Sequence, residues 1–346
     1  MEDSAVDGVA VEVVDVVVIG AGPCGLAASI SVQRAGLSNV IIERDCLVSG
    51  IVSYPTEMTF FSTAEKISIG GVPFPISTAK PSRRDALAYY RTVAHHYGVH
   101  VRQYENVDAL EMLGDDRWRV RSSTRAGATR VTESSAVVMA TGYFGLPNRL
   151  DVPGESQPHV HYRFREGHMA YDQDVVVVGG ANSAVDAALE LYRAGARVTL
   201  VHFEDALDPK VKPWVKPDID GRIKDGAIAA MFNARVVEIG DDWVDVESHG
   251  VRTRVAAQHV FTMLGYMPET ALLKQVRAPI DQQTGIPTHN PATMETTLPG
   301  LFLAGVLASG FDANKTFIEN GRFHGDLIAA RIVEKLAQPV QHSVSV

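Results

Sequence analysis

The hydrophobic positions of this chain contain two nearly matching blocks. Val16-Val17-Val18-Ile19 and Val175-Val176-Val177-Val178 are unbroken apolar runs of strand length, and each leads into a glycine-rich turn and then an alanine-rich stretch. An apolar run closed by glycines and followed by helical spacing predicts a βαβ unit. The first unit is a strand at about 15–19, a helix from about 24 to Gly36 and a strand Asn39 to Glu43. The second is a strand from Asp174 to Val178, a helix from about Asn182 to Ala194 with Gly195 as its stop, and a strand Val198 to Phe203.

Between them, Ser82-Arg83-Arg84-Asp85 reads as a capping box, opening a helix with Leu87, Tyr90, Ala94 and Tyr97 on one face and Gly98 at its end. Alternating segments from Val99 to Val131 predict a β-meander, and Ala136 to Gly142 is a further buried strand. Pro147, Pro153, Gly154 and Pro158 mark a linker. His259 to Gly265 and Gly300 to Gly305 repeat the pattern of strand and small-residue turn, and a long last helix is expected from about Asn314 to Leu336. Residues 1–14, acidic and valine-rich, read as a loose leader. The expected architecture is α/β, with two Rossmann-like domains. One spans 1–155 and 258–346, and the other, 156–257, is inserted into it.

Composition narrows the class. With 346 residues, 46% hydrophobic and 21% charged, the chain has the make-up of a globular protein of two ordinary domains. A net charge of -9 argues against nucleic acid or an anionic membrane as partner. No apolar run approaches the roughly 20 residues of a membrane span, and the start Met1-Glu2-Asp3 lacks the basic region of a secretory signal. A cytoplasmic location is therefore expected. Two cysteines, Cys24 and Cys46, make neither a zinc site nor a Cys-x-x-Cys pair, and no metal is expected.

The turns carry the candidate chemistry. In the first, Gly20 permits the bend, Gly22 lets backbone approach a pyrophosphate, and Gly25 lets helix pack on strand; Pro23 and Cys24 lie between them. The helix start offers N–H groups and a positive dipole end to phosphate. Glu43, at the end of the next strand, can accept from both ribose hydroxyls of an adenosine, with Arg44 beside it. The structural alternative is a tight turn and a surface acid. In the second turn, Gly179-Gly180-Ala181-Asn182-Ser183, a methyl replaces the close-approach glycine, while Asn182 and Ser183 can cap the helix and donate to phosphate. The strand after it ends in His202-Phe203-Glu204-Asp205, which favours NADH, although Lys210 and Lys212 could fold back onto the 2′-phosphate of NADPH. Cys24 stands at a helix N-terminus, which lowers a thiol pKa, but beside an anionic pyrophosphate, which raises it. A reactive thiol and a small packing residue are both open readings.

Beyond these generic features, several segments resemble a known family. They are Gly20 to Ala28, Tyr54-Pro55-Thr56 with Thr59-Phe60-Phe61-Ser62, Lys66 to Gly70, Asn182 to Glu190, Lys212-Pro213-Trp214, Met294-Glu295-Thr296 and Phe317 to Gly325. The chain resembles the low-molecular-weight thioredoxin reductase group and, within it, the bacillithiol disulfide reductase family, YpdA or Bdr. That resemblance implies an FAD and NADPH enzyme that reduces a small-molecule disulfide, bacillithiol disulfide, and a homo-oligomer. It puts a cysteine in the first turn, at Cys24, as the possible nucleophile. It also implies that Gly20, Gly22, Gly25 and Glu43 hold FAD, with Thr141, Gly142, Gly305 and the helix start Asn314, Lys315, Thr316 and Phe317 near it, and that Gly179 to Ser183 hold the nicotinamide dinucleotide.

Two departures from the family stand out. Phe203-Glu204 replaces an expected basic residue, and Gly305-Val306 replaces the Gly-Asp of many related flavoproteins. Lys66, Arg83, Arg84 and Arg322 are candidate partners for substrate carboxylates. Rival readings are a ferredoxin or flavodoxin reductase, a flavin monooxygenase suggested by Ala140-Thr141-Gly142-Tyr143, and a flavin-based redox-sensing binding module. The monooxygenase reading lacks its expected Phe-x-Gly-x-x-x-His string around His159 and His161.

Overall fold

The computed structural model describes residues 5, 6, 8–114 and 117–337; the start Met1-Glu2-Asp3 lies outside them. The chain forms two compact units, one of Met1–Val52, Thr59–Leu146 and Met267–Val346, the other of Ser53–Met58 and Pro147–Tyr266. The second begins earlier and ends later than the expected 156–257. The proline-rich segment belongs to it for a physical reason. Ile239 donates its N–H to the Pro153 carbonyl at 2.9 Å, Tyr162 donates to the Glu155 carbonyl at 2.9 Å, and Leu150 and Val152 pack on the second unit's core. Thr56 likewise donates to the Arg165 carbonyl at 2.9 Å, which brings Ser53–Met58 along.

In the first unit, parallel strands lie in the order Val101–Gln103, Asn39–Glu43, Val9–Ile19, Thr129–Met139, and Leu301–Leu303 also pairs with the last of these. Val16, Val17, Val18, Val137, Val138 and Met139 are fully buried, as a strand covered on both faces requires. Two expectations change here. Val9–Ile19 is one strand, not a leader followed by a strand, because Val11 to Val14 pair with Val131 to Ser134. Thr129–Met139 is also continuous. Its first half closes the antiparallel meander with Trp118–Thr124 and Glu105–Met112, and its second half runs parallel to Val16–Ile19.

The second unit holds a five-stranded parallel sheet in the order Ala229–Met231, Arg197–Val201, Asp174–Val178, His259–Thr262, Val160–His161. An antiparallel sheet of Ala234–Ile239, Trp243–Ser248 and Val251–Ala256 completes it. Helix Asn182–Arg193 buries Ala184, Val185, Ala188, Leu189 and Leu191 in one core cluster with Val175, Val177 and Leu200. Among the described residues, no helix is long and apolar enough to cross a membrane.

The capping box forms as its residue spacing predicts. Ser82 Oγ accepts the Asp85 N–H at 3.1 Å, Asp85 Oδ2 accepts the Ser82 N–H at 2.9 Å, and helix Arg83–His96 follows. Its buried stripe is Ala86, Tyr89, Tyr90, Val93 and Ala94, with the Tyr90 hydroxyl donating to the Ile67 carbonyl at 2.8 Å. Replacing an N-cap serine by alanine costs about 1 kcal/mol. Ser82→Ala is therefore expected to lower the melting temperature by about 2–4 °C in a thermal scan, with the circular dichroism spectrum unchanged.

Candidate dinucleotide sites

The first glycine turn sits where Val9–Ile19 ends. Gly20 has φ +105°, and a Cβ there would lie 2.5 Å from the Ala140 carbonyl oxygen; a Cβ on Gly25 would lie 2.0 Å from the Gly20 oxygen. Neither position can carry a side chain. Gly22 differs, since a Cβ there meets nothing within 4 Å. It faces open space and is the N-cap of helix Pro23–Arg34, with no side-chain cap and Pro23 in its first turn. The first-turn N–H groups of that helix thus open onto free space beside Gly22, where an anion can meet them.

Glu43 is buried and fixes this turn. Its Oε2 accepts the Ala21 N–H at 2.8 Å, and its Oε1 accepts the Asp45 N–H at 2.9 Å and the Ser49 hydroxyl at 3.2 Å. The carboxylate expected to take ribose hydroxyls is thus largely spent on the protein's own backbone. An ionised carboxylate has about four acceptor positions, so capacity for a ligand remains. Arg44 is paired with Glu269 at 2.7 Å and Asp45 at 3.6 Å. Thr141 makes a long contact with the Glu269 carbonyl at 3.5 Å, and Gly142, at φ +76°, has open space around it.

The return segment closes on Cys24. A Cβ on Gly305 would lie 3.0 Å from Cys24 Cβ and 3.1 Å from its Sγ, and one on Gly321 would lie 2.9 Å from the same sulfur. The thiol is thus lodged against two glycines, and burial pushes its pKa up to about 12. Desolvation outweighs any lowering by the helix dipole, so the neutral thiol is the dominant form at pH 7. Burial also raises the Cys46 thiol. The Gly305 N–H donates to His324 Nδ1 at 3.2 Å, and burial together with the charge of His289 lowers the His324 pKa.

The expected helix start at Asn314 is corrected. Asn314, Lys315, Thr316 and Phe317 form a loop, with a short helix at Ile318–Gly321 and the long one at His324–Ala337. Asn320 holds this loop open, accepting the Phe317 N–H at 2.8 Å and donating to the Lys315 carbonyl at 2.9 Å. Such side-chain bonds compete with helix formation. The buried Thr316 hydroxyl bonds Ser309.

In the second turn, Gly179 has φ +138°, and a Cβ there would lie 2.5 Å from the Met263 carbonyl oxygen. Ala181, the helix N-cap, is exposed and at φ -96°, so its methyl is unstrained and projects outwards. Asn182 does not cap the helix. Its amide accepts the Lys212 N–H at 2.9 Å and donates to the Lys210 carbonyl at 3.3 Å, tying that segment to the helix start. Ser183 is exposed. Beneath Gly180 lies the His202 ring; a Cβ on that glycine would be 2.4 Å from Nε2. His202 is 5% exposed, and neither ring nitrogen has a hydrogen-bond partner. The expected strand Val198 to Phe203 ends earlier, at Val201, which leaves His202 directly after it.

Of the candidate cations, Arg83 and Arg322 serve the fold. Arg83 donates to the Ile51 and Val52 carbonyls, and Arg322 to the Glu65 and Ser68 carbonyls. Lys66 and Arg84 are exposed. Among the described residues, no group of three or more His, Cys, Asp or Glu is placed to hold a metal ion.

Comparison with known proteins accords with this geometry. The family model for pyridine nucleotide-disulphide oxidoreductases matches residues 17–305. The bacilliredoxin reductase Bdr of Bacillus subtilis (strain 168) is 41% identical over 321 residues, covering 92% of this chain and 97% of that protein. The structure of the bacillithiol disulfide reductase Bdr (YpdA) from Bacillus cereus superimposes with a TM-score of 0.92 at 42% identity, covering 94% of this chain and 100% of that one. Thioredoxin reductase from T. acidophilum, 20% identical with a TM-score of 0.74 over 94% of this chain and 100% of its own, shares the two-domain α/β fold. Membership of such a family implies a flavin and a nicotinamide cofactor. The chain is an oxidoreductase of the pyridine nucleotide-disulphide oxidoreductase family and belongs to its Bdr (YpdA) branch.

Proposed function

We propose that this protein is an FAD-dependent NAD(P)H oxidoreductase that reduces a low-molecular-weight thiol disulfide, bacillithiol disulfide, in the cytoplasm and as a homo-oligomer. The observation that carries the reading is a cysteine inside the first glycine turn of a chain that has no Cys-x-x-Cys pair, in a protein about 40% identical to enzymes named for bacillithiol disulfide. FAD held at the first glycine turn would supply the two-electron relay between the nicotinamide and the disulfide. The net reaction takes one NAD(P)H, one proton and one disulfide to NAD(P)⁺ and two thiols.

The chain's own residues supply binding and orientation. Gly22 leaves room for the FAD pyrophosphate at the start of helix Pro23–Arg34, and Pro23, whose missing N–H costs nothing there, sets the helix entry. Gly20 and Gly25 hold strand and helix close enough to form the cradle, and Glu43 anchors it and offers its remaining lone pair to the ribose, with Arg44 at the rim. Thr141, Gly142 and Gly305 end neighbouring strands, and the Asn314, Lys315, Thr316, Phe317 loop borders the same side. Gly179, Gly180, Ala181, Asn182 and Ser183 form the corresponding cradle for the nicotinamide dinucleotide.

Cys24 is the thiol that attacks the disulfide in this reading. The substrate S–S bond breaks, one thiol leaves, and the mixed disulfide formed on Cys24 is cleaved by the electron pair from NAD(P)H to release the second. Attack requires the thiolate. The position of Cys24 against Gly305 and Gly321 raises its pKa, so the thiolate is the minor form in the free enzyme. The same enclosure favours one second reading, a ferredoxin or flavodoxin reductase, which uses no thiol. Ferredoxin–NADP reductase of Ignicoccus hospitalis is 27% identical over 84% of this chain.

One measurement separates the readings, and a second checks the burial of the thiol. In an assay of NAD(P)H oxidation with bacillithiol disulfide, Cys24→Ser is expected to keep its bound yellow flavin while turnover falls by about 10³-fold or more, the scale for loss of a covalent nucleophile. Full activity in that variant would move the assignment to the thiol-free reading. Iodoacetamide labelling mapped by mass spectrometry is expected to leave Cys24 unmodified at pH 7.5. Because its pKa is raised, the labelling rate should climb about tenfold per pH unit up to pH 11 in protein that stays folded.

A further inference from the structure

We propose that the second turn is built to read the free 2′-hydroxyl of an adenosine ribose, with Glu204 as acceptor and His202 as the buried group beside it, so that this chain takes NADH over NADPH. The inference rests on the reading of that turn as the nicotinamide dinucleotide site, and it fixes which dinucleotide.

The two turns can be matched residue by residue through their backbone bonds. The Gly20 N–H donates to the Ile42 carbonyl at 2.9 Å, and the Gly179 N–H donates to the Val201 carbonyl at 3.0 Å. His202 therefore stands where Glu43 stands, one residue past the strand partner of the first glycine. In the first unit that position is a carboxylate that accepts two backbone N–H groups and the Ser49 hydroxyl. In the second it is an imidazole pressed beneath Gly180, with neither nitrogen hydrogen-bonded and Nε2 3.5 Å from Glu204 Oε2. A buried polar ring without a partner costs stability unless something completes it, and a sugar hydroxyl both donates to a carboxylate and accepts from a ring N–H.

The next positions decide against a 2′-phosphate. A dinucleotide with a free 2′-hydroxyl tolerates an acid at this strand end, whereas the phosphorylated one wants an arginine. Here Phe203 is half-exposed, the Glu204 side chain is 53% exposed, and Asp205 follows in the open. One arginine does reach the place. Arg235, on Ala234–Ile239, sets its guanidinium 4.9 Å over the Phe203 ring, held there by cation–π attraction, and Glu247 is its direct neighbour across the antiparallel pair. Two acids, Glu204 and Asp205, thus follow Phe203, and a third, Glu247, stands opposite Arg235 in the strand register, where a phosphate would bring a further charge of about -1.5 to -2. The Lys210–Lys212 backbone is tied by Asn182 to the helix start. That backbone stands beside the helix start, the pyrophosphate position that both dinucleotides share.

The test is equilibrium binding of ADP-ribose and 2′-phospho-ADP-ribose to the FAD-loaded protein by isothermal titration calorimetry, with NADH and NADPH oxidation as a second readout. ADP-ribose is expected to bind at least about tenfold tighter, equivalent to ~1.4 kcal/mol. Glu204→Arg is expected to reverse the order, and Glu204→Gln to narrow it while the protein stays folded. Equal binding, or tighter binding of the phosphorylated probe by the unmodified protein, overturns the proposal and assigns Arg235 as a phosphate reader. Binding of neither probe overturns the nucleotide reading of the second turn together with the proposal.

Discussion

Everything in both units hangs on one close approach, that of a glycine Cα to the carbonyl that ends the neighbouring parallel strand. In the first unit, Gly20 lies against the Ala140 oxygen; in the second, Gly179 lies against the Met263 oxygen, and in each case an added Cβ would sit 2.5 Å away. The same glycine is held from the other side by its N–H bond to the adjacent strand. The chain is pinned in a left-handed conformation between two strands, at φ +105° and +138°, and must turn up into the helix. The helix N-terminus is thereby aimed past the carboxyl ends of the strands, where an anion can meet it. The two turns then diverge at the third small position. Gly25 touches the Gly20 oxygen so closely that no methyl fits, whereas Ala184 fits its own methyl beside Gly179.

This duplicated constraint was legible in the sequence because it is local. Valine runs, glycine spacing and the Ser82/Asp85 box each depend on neighbours within a few residues, and each led to the element the structure contains. What was not legible depended on distant pairing. Nothing in Val9 to Val14 says strand until Val131 to Ser134 lie alongside, since the stretch is only half-buried and alternates weakly. The pieces of Thr129–Met139 looked separate because one half is patterned for a sheet with a single buried face and the other for a sheet buried on both. The helix drawn from Asn314 failed for a local reason, Asn320 bonding back to Phe317 and Lys315.

The candidate sites divide in the same way. Positions defined by the backbone of the turns could be named in advance. The partners that give those positions their character came from elsewhere in the chain. Glu43 could be placed at its strand end, but its use as the anchor of Ala21 needed the turn in three dimensions. Arg235 lies far from Phe203 in sequence and meets it because Ala234 and Asn233 bond back to the His202 and Glu204 carbonyls.

Cys24 is the residue for which packing and chemistry are hardest to separate, and the reason lies in a seam between the first helix and the return segment. Cys24 and Ala28, four residues apart on one face of Pro23–Arg34, meet Gly321 and Gly325, also four apart. A Cβ on Gly325 would lie 2.6 Å from Ala28 Cα, and Ser31 donates to Asp326 Oδ1 at 2.7 Å a turn further on. The seam accepts small side chains only, and a thiol fits it as well as a methyl does. A larger residue at position 24 would force the helices apart and disturb Gly305, which carries the His324 bond. Loss of activity from such a change would report the seam, not the sulfur. Serine keeps the volume and removes the nucleophile, so it is the substitution at this position whose effect belongs to the chemistry.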